Sequence, residues 1–162
     1  MNKNNKIIGI LGGMGPQASA HLVKLLVDKS AKEFKAKNCE DFPEIILDSM
    51  PHPDFIASRQ NSKIVVEMLK ERIKNMEKMN VSVFALACNT AHIMLNLLKV
   101  ASKTPFISMI DEVVKQVEGM EIKKIGLLAS PTTFKSGLFQ KGNWVGKESL
   151  SSHQRLNLIP WK

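Results

Sequence analysis

Val81-Ser82-Val83-Phe84-Ala85-Leu86-Ala87-Cys88-Asn89-Thr90-Ala91-His92 leads straight into Ile93-Met94-Leu95-Asn96-Leu97-Leu98-Lys99-Val100-Ala101, and the periodicity changes once along the way. The first seven residues form the short apolar run of a buried strand, Val81 to Ala87. From Ala91 to Ala101 the apolar positions fall at helical spacing. Cys88 therefore stands where a strand hands over to a helix. Aligned backbone N–H groups and the positive end of a helix dipole favour thiolate over thiol at such a place, which is how a nucleophilic or proton-abstracting cysteine is made. The same residue also reads as a small buried hydrophobe. An activated thiol predicts that Cys88 reacts with iodoacetamide faster than Cys39 near neutral pH.

Working outward, the strand-then-helix unit repeats. Lys6 to Leu11 is a first strand, ending in Gly12-Gly13-Met14-Gly15-Pro16, and Gln17 to Lys37 is a helix with Ala20, Val23, Leu26 and Val27 inward. Pro16 suits its first turn, where a missing N–H is harmless. Glu44 to Met50 is a second strand running into Pro51-His52-Pro53-Asp54. Ser58 to Met79 is a helix whose Ile64, Val65, Met68, Leu69, Ile73 and Met76 share one face. Thr104 to Ser108 is a fourth strand, a helix follows through Asp111 to Glu118, Lys123 to Ala129 is a fifth strand, and Ser130-Pro131-Thr132-Thr133 caps a further helix. The alternation predicts an α/β fold, a parallel β-sheet with flanking helices joined by right-handed crossovers. The carboxyl ends of such strands form the binding crevice. They carry Gly12 to Gly15, Pro51 to Asp54, Cys88 to Thr90, and Ser130 to Thr133. After Lys141 neither period continues, so the tail reads as a chain cut short or replaced by a shifted reading frame, or else as a C-terminal arm.

With 162 residues, 44% of them hydrophobic and 23% charged, the chain is long enough for one ordinary core. Cys39 and Cys88 cannot build a disulfide framework, and Lys3 and Lys6 precede an apolar run that stops at Gly12, unlike a secretory leader. A cytoplasmic protein is expected. No apolar stretch approaches the ~20 residues that cross a bilayer, so no membrane role is expected. The formal charge of +8 invites a nucleic-acid reading, but the lysines scatter over helix faces among Glu33, Glu67, Glu71 and Glu77, with no aromatic-interleaved basic stripe. Nucleic acid is not an expected partner.

Gly13-x-Gly15-x-x-Ala18 between a strand and a helix fits the dinucleotide-binding fingerprint, and Asp48 ends the second strand where a ribose-binding carboxylate would sit. An NAD(P)-dependent oxidoreductase with a Rossmann-like glycine turn is therefore one reading. Pro16 stiffens that turn, however, and nicotinamide chemistry gives no reason for Cys-Asn-Thr-Ala-His two strands later.

Four segments in order, Ile8 to Pro16, Ala87 to His92, Pro105 to Glu112, and Gly126 to Thr133 with Ser136-Gly137, resemble the aspartate racemase branch of the aspartate/glutamate racemase superfamily. The resemblance covers roughly residues 6 to 141. It implies a cofactor-independent, PLP-independent amino-acid racemase of two similar α/β lobes, acting on aspartate or a related acidic amino acid, with no metal. One cysteine from each lobe faces Cα, one taking the proton as thiolate and the other returning it as thiol from the opposite side. Inversion without an electron sink needs that acid and base pair and fixed hydrogen-bond donors for the carbanion.

By this resemblance Cys88 is the first-lobe catalytic cysteine, Met14, Gly15, Asn89 and Thr90 hold the substrate, and Thr133 is a further substrate contact, with Thr132 standing where the family usually has Gly. His92 is placed to tune the thiol, though a histidine in a helix's first turn more commonly caps or faces solvent. The organisation implied is a first lobe at 1–103, a partial second lobe at 104–141 and an irregular tail at 142–162. Phe55 follows Pro53-Asp54 where some members carry an arginine, and Arg59 lies a helical turn on. The family's second cysteine, in a Gly-Cys-Thr-Glu segment of the second lobe, has no counterpart here. Cys39, at the end of a surface helix, cannot replace it. The expectation is hydrogen exchange at Cα in excess of inversion, or inactivity, with a catalytically dead binding module as a further alternative. An open sheet edge predicts a homodimer.

Overall fold

The computed structural model describes residues 6–56, 58–120 and 125–139. The described chain runs β1 (Ile7–Gly12), α1 (Pro16–Glu33), β2 (Glu44–Ser49), α2 (Arg59–Glu77), β3 (Val81–Leu86), α3 (Leu95–Ala101), β4 (Phe106–Ile107), α4 (Met109–Glu118) and α5 (Pro131–Ser136), with short 3-10 segments at Cys39–Asp41 and Thr90–Met94. The strands pair in parallel in the order β2-β1-β3-β4. From β1 the chain crosses to β2 on one side, then back over β1 to β3 on the other. Right-handed crossovers in opposite directions place α1 and α2 on opposite faces. The boundary between β1 and β3 is thus the point where the winding reverses, and the loops leaving those two strands diverge there to form a crevice.

Alternation along the strands divides the core. Leu11, Phe84 and Leu86 pack with Val65, Leu69, Ile73 and Met76 of α2 and Leu98 of α3, closed by Met50 and Met94. Phe106 of β4 joins through a ring contact to Phe84, centroids 5.2 Å apart. Ile10, next to Leu11 and equally buried, serves the opposite face.

The helix faces differ in detail from the periodicity. In α2, Val66 is buried and Ile64 exposed, so the inward stripe is Val65, Val66, Leu69, Ile73 and Met76. In α1, Ala20 and Val27 are exposed and Ser19 is the residue buried deepest. The cause is a polar anchor: Ser19 Oγ accepts from Gly13 N at 3.1 Å and donates to Gly15 O at 3.3 Å, which fixes the rotation of the first turn. At the other end α1 stops at Glu33, short of Lys37. Lys35 turns into the left-handed region at φ 61, and Ala36 folds back so that its N–H reaches Ser30 O at 3.1 Å.

The expected fifth strand does not form over its described part. Ile125 to Ala129 is irregular backbone, while Lys123 and Lys124 lie outside the described residues, as do the Lys141 boundary and the tail. A strand needs a ladder to join. Only Phe106 and Ile107 of β4 pair with β3, and Leu128 stands 84% exposed, so the apolar run has no described partner strand.

Candidate active site

The loop after β1 is built on glycine. Gly13 has φ +88, and a Cβ there would lie 2.3 Å from Met50 O, so only glycine lets the loop pass the end of β2. Met50 N in turn donates to Gly12 O at 3.3 Å. Gly15, at φ 115, turns the chain into α1, and Pro16 takes the first helical position. Met14 between them sends its side chain into the core.

Cys88 lies two residues beyond β3, tied in by Ala87 N donating to Leu11 O and by its own N–H donating to Leu86 O, both at 2.9 Å. It is half-buried and packs against the main core. Burial pushes its thiol above the usual cysteine range, and the backbone N–H groups of Ala91 and Thr90, directed at the sulfur, pull the other way without cancelling it. The sequence expectation is thus half met. The donors are present, but the resting group is a thiol, and the surface-exposed Cys39 is the more accessible sulfur.

His92 is nearly fully buried, 4% exposed, and does not face solvent. Its Nδ1 donates to the carbonyl of Cys88 at 2.7 Å, and its Nε2 accepts from Met109 N at 3.2 Å. A carbonyl only accepts and an N–H only donates, so the ring is the neutral Nδ1–H tautomer. Burial holds its pKa below the ordinary histidine value, which suits that form. The residue does cap a helix, but α4 rather than its own. With the Cys88 carbonyl engaged by the ring, His92 N donates instead to Asn89 O at 3.1 Å, the 3-10 pattern of Thr90–Met94, and the α-helix begins at Leu95.

Thr90 presents its backbone to the sulfur and its side chain to the start of α5. Its Oγ1 lies 2.7 Å from Thr133 Oγ1 and 3.4 Å from Ser130 Oγ, and Ser130 Oγ lies 3.0 Å from Thr133 Oγ1. Ser130 also accepts from Thr133 N at 3.2 Å as the N-cap of α5. Three hydroxyls thus close the gap between the Cys88 turn and α5. Asn89 stands exposed on the same turn.

Other residues singled out in the sequence lie apart. Asp48, the carboxylate expected for a ribose, is instead paired with Arg72 of α2 at 3.5 Å. The Pro51 to Ile56 loop is tied to α2, with Ser62 Oγ donating to Phe55 O and Asn61 Nδ2 to Asp54 O, each at 2.8 Å. Cys39 precedes β2, at the amino edge of the sheet. Cys88 follows β3, at the carboxyl edge, and six residues of parallel strand separate those edges by roughly 20 Å. A half-open hollow of about 170 Å³ lies between α3, α4 and α5, lined by His92, Asn96, Lys99, Ser108 and Asp111 among others; Cys88 and Thr90 do not line it. Among the described residues no group of three His, Cys, Asp or Glu side chains could hold a metal ion, and no helix is long and apolar enough to cross a membrane.

Two signals could have found more of this arrangement. A serine one turn into α1, opposite two glycines, is suited to anchoring their N–H groups, and a histidine four residues after Cys88 is within reach of its carbonyl.

A four-stranded parallel sheet with flanking helices defines an α/β protein of the doubly wound class, and comparison with known proteins gives the family. The Asp/Glu/Hydantoin racemase family matches residues 11–142, and the chain belongs to that family. It is 31% identical over 137 residues to the broad specificity amino-acid racemase RacX of Bacillus subtilis (strain 168), an alignment covering 83% of this chain and 59% of that protein. The aspartate racemase of Picrophilus torridus superposes with a TM-score of 0.71 at 30% identity, over 83% of this chain and 57% of that one. An aspartate racemase homologue from Pyrococcus horikoshii OT3 shares the fold, with a TM-score of 0.69 at 24% identity over 84% and 58% of the two chains. The chain therefore spans under three-fifths of the length of these relatives.

Proposed function

We propose that residues 1–103 are the cysteine-bearing first lobe, and 104–141 part of the second, of a PLP-independent amino-acid racemase acting on aspartate or a related acidic amino acid, with Cys88 exchanging the Cα hydrogen. The observation that carries this reading is the place of Cys88: just beyond the central strand, at the winding reversal, with Thr90 and Ala91 N–H groups on its sulfur. The thiol, protonated at rest, first gives its proton to solvent, and the thiolate so formed is met by the two N–H donors. It takes the hydrogen from Cα, leaving a carbanion; the new S–H exchanges with deuterated solvent and returns a deuteron to the same face of Cα. Asn89 offers an exposed amide to the amino acid, and Thr90 and Thr133 exchange their mutual bond for its polar groups. The backbone of Met14 and Gly15 lines the opposite wall.

Inversion needs a second carrier on the far side of Cα, and Cys39 at the opposite sheet edge cannot reach it. Exchange is therefore expected to outrun inversion for these residues alone. Homodimerisation covers the apolar surface left at Leu97, Val100 and Ile107. The test is L-aspartate, D-aspartate, L-glutamate and L-alanine incubated separately with the protein in deuterated water, followed by proton NMR and chiral chromatography. Deuterium at Cα of an acidic substrate, in excess of inverted product, is expected. Absence of label from all four would overturn the proposal.

A further inference from the structure

We infer that His92 is a positioning residue for Cys88: its ring, clamped between the Cys88 carbonyl and the first N–H of α4, holds the turn in the shape that aims two backbone donors at the sulfur. The inference rests on the racemase reading for its biological meaning, but its geometry stands independently. The Nδ1–H bond to Cys88 O, at 2.7 Å, spans four residues, and within those four residues lie the N–H groups of Thr90 and Ala91 that face Sγ. Fixing the carbonyl of Cys88 fixes the peptide plane that begins the turn. The Asn89 carbonyl, which accepts from His92 N at 3.1 Å, then closes it. The second nitrogen reaches Met109, seventeen residues on, at 3.2 Å. The cysteine turn is thereby moored to the start of α4, beyond β4. A residue that merely filled space here would need neither bond, since Ala91, Met94 and Leu98 already supply apolar packing to this corner.

Among the described residues no charged side chain acts on the sulfur; those acting on the His92 ring are Asp111 of α4 and Lys99 of α3. The influence of His92 on the thiol accordingly runs through the backbone and not through a charge. An amide replacement with a donor at the Nδ1 position preserves it, and one that reaches only the Nε2 position does not. Asparagine and glutamine make that distinction.

The experiment measures the pH dependence of Cys88 alkylation by iodoacetamide in a Cys39→Ser background, with His92→Asn, His92→Gln and His92→Ala compared by mass spectrometry. The midpoint of the profile reports the stability of the thiolate and the plateau reports access. A loosened structure raises the plateau, lowers the melting temperature and, by relieving burial, lowers the midpoint, the direction opposite to the loss of the two donors. His92→Gln and His92→Ala are expected to raise the midpoint, lowering the rate at pH 7.5 by about three- to tenfold as the two donors lose their aim, while His92→Asn stays within about twofold of the parent rate. An unchanged midpoint in His92→Gln, or a shift in His92→Asn equal to that in His92→Gln, would overturn the inference. Because His92→Ala leaves a cavity, the two amide variants decide the matter if it does not fold. The readout needs no turnover, so it is separable from failure of the racemase proposal.

Discussion

The hydroxyls of Thr90 and Thr133, forty-three positions apart in the chain, meet at 2.7 Å in a buried setting. One belongs to the turn that carries Cys88 and the other to α5. The pair therefore makes the proposed site a junction between the two parts of the chain, and Ser130 completes it from the N-cap of the same helix.

Replacing either threonine by valine leaves the other hydroxyl only its longer contact to Ser130 Oγ, 3.4 Å for Thr90 and 3.0 Å for Thr133. Each single variant is expected to lose about 1–3 kcal/mol, and the double variant less than the sum, because both single variants break the same 2.7 Å bond. Urea unfolding of the four members of the cycle measures this. Additive losses would show that the two hydroxyls do not depend on each other.

Gly13 and Gly15 both have positive φ, yet their surroundings differ. A Cβ at Gly13 meets the Met50 backbone, whereas one at Gly15 has only Ala18 Cβ at 3.8 Å. Gly15→Ala is expected to cost about 1–2 kcal/mol from backbone strain alone, and Gly13→Ala clearly more, with displacement of the β1 and β2 ends. Thermal unfolding of the two variants, compared side by side, gives the ordering.

Glu77 at the end of α2 accepts from Ser102 Oγ, Lys103 N and Thr104 N, at 2.8, 2.7 and 3.1 Å, and so fixes the turn into β4. These bonds hold its carboxyl below the usual range against the opposing effect of burial. A lowered folded-state pKa binds fewer protons than the unfolded chain, so the stabilisation is complete above the unfolded value and is lost as pH falls through the folded one. Buried neutral His92 acts in the same sense, beginning below its ordinary value of 6.5. Stability should therefore decline from pH 7 towards pH 4. Glu77→Gln should flatten the lower part of that decline and His92→Asn the upper part, as followed by urea midpoints.

The two sulfurs should differ in alkylation. Cys39 is exposed, while Cys88 is half-buried with its thiol pushed up. At pH 7.5 Cys39 is expected to be modified first by iodoacetamide, with Cys88 slower by about tenfold or more. Equal rates, or faster reaction at Cys88, would mean that the two backbone donors outweigh burial.

Much of the fold was legible because its signals are local. The strand Val81 to Ala87 and the break at Cys88 are visible in residue type alone, and β1 and β2 fell within a residue of their expected bounds. Long-range partners were not legible. Ser19 turned α1 away from the face that its apolar spacing suggested, and Val66 replaced Ile64 because α2 lies against both the sheet and α3. Ile125 to Ala129 has strand composition but no described ladder to join. At the site, Cys88, Thr90 and Thr133 were identifiable as candidates, but the hydroxyl contact depends on closing a forty-three-residue separation, and the mooring of His92 to Met109 on closing seventeen. The rise in the Cys88 pKa has the same origin, since burial is decided by packing partners and not by the strand end itself.

The central claim is that Cys88 moves the hydrogen on Cα. The most direct measurement is the rate of deuterium uptake at Cα of aspartate in deuterated water, for the parent protein, Cys39→Ser and Cys88→Ser, with folding checked by circular dichroism. Uptake is expected to persist in Cys39→Ser and to fall by about a hundredfold or more in Cys88→Ser. Uptake by Cys88→Ser at the parent rate would contradict the account.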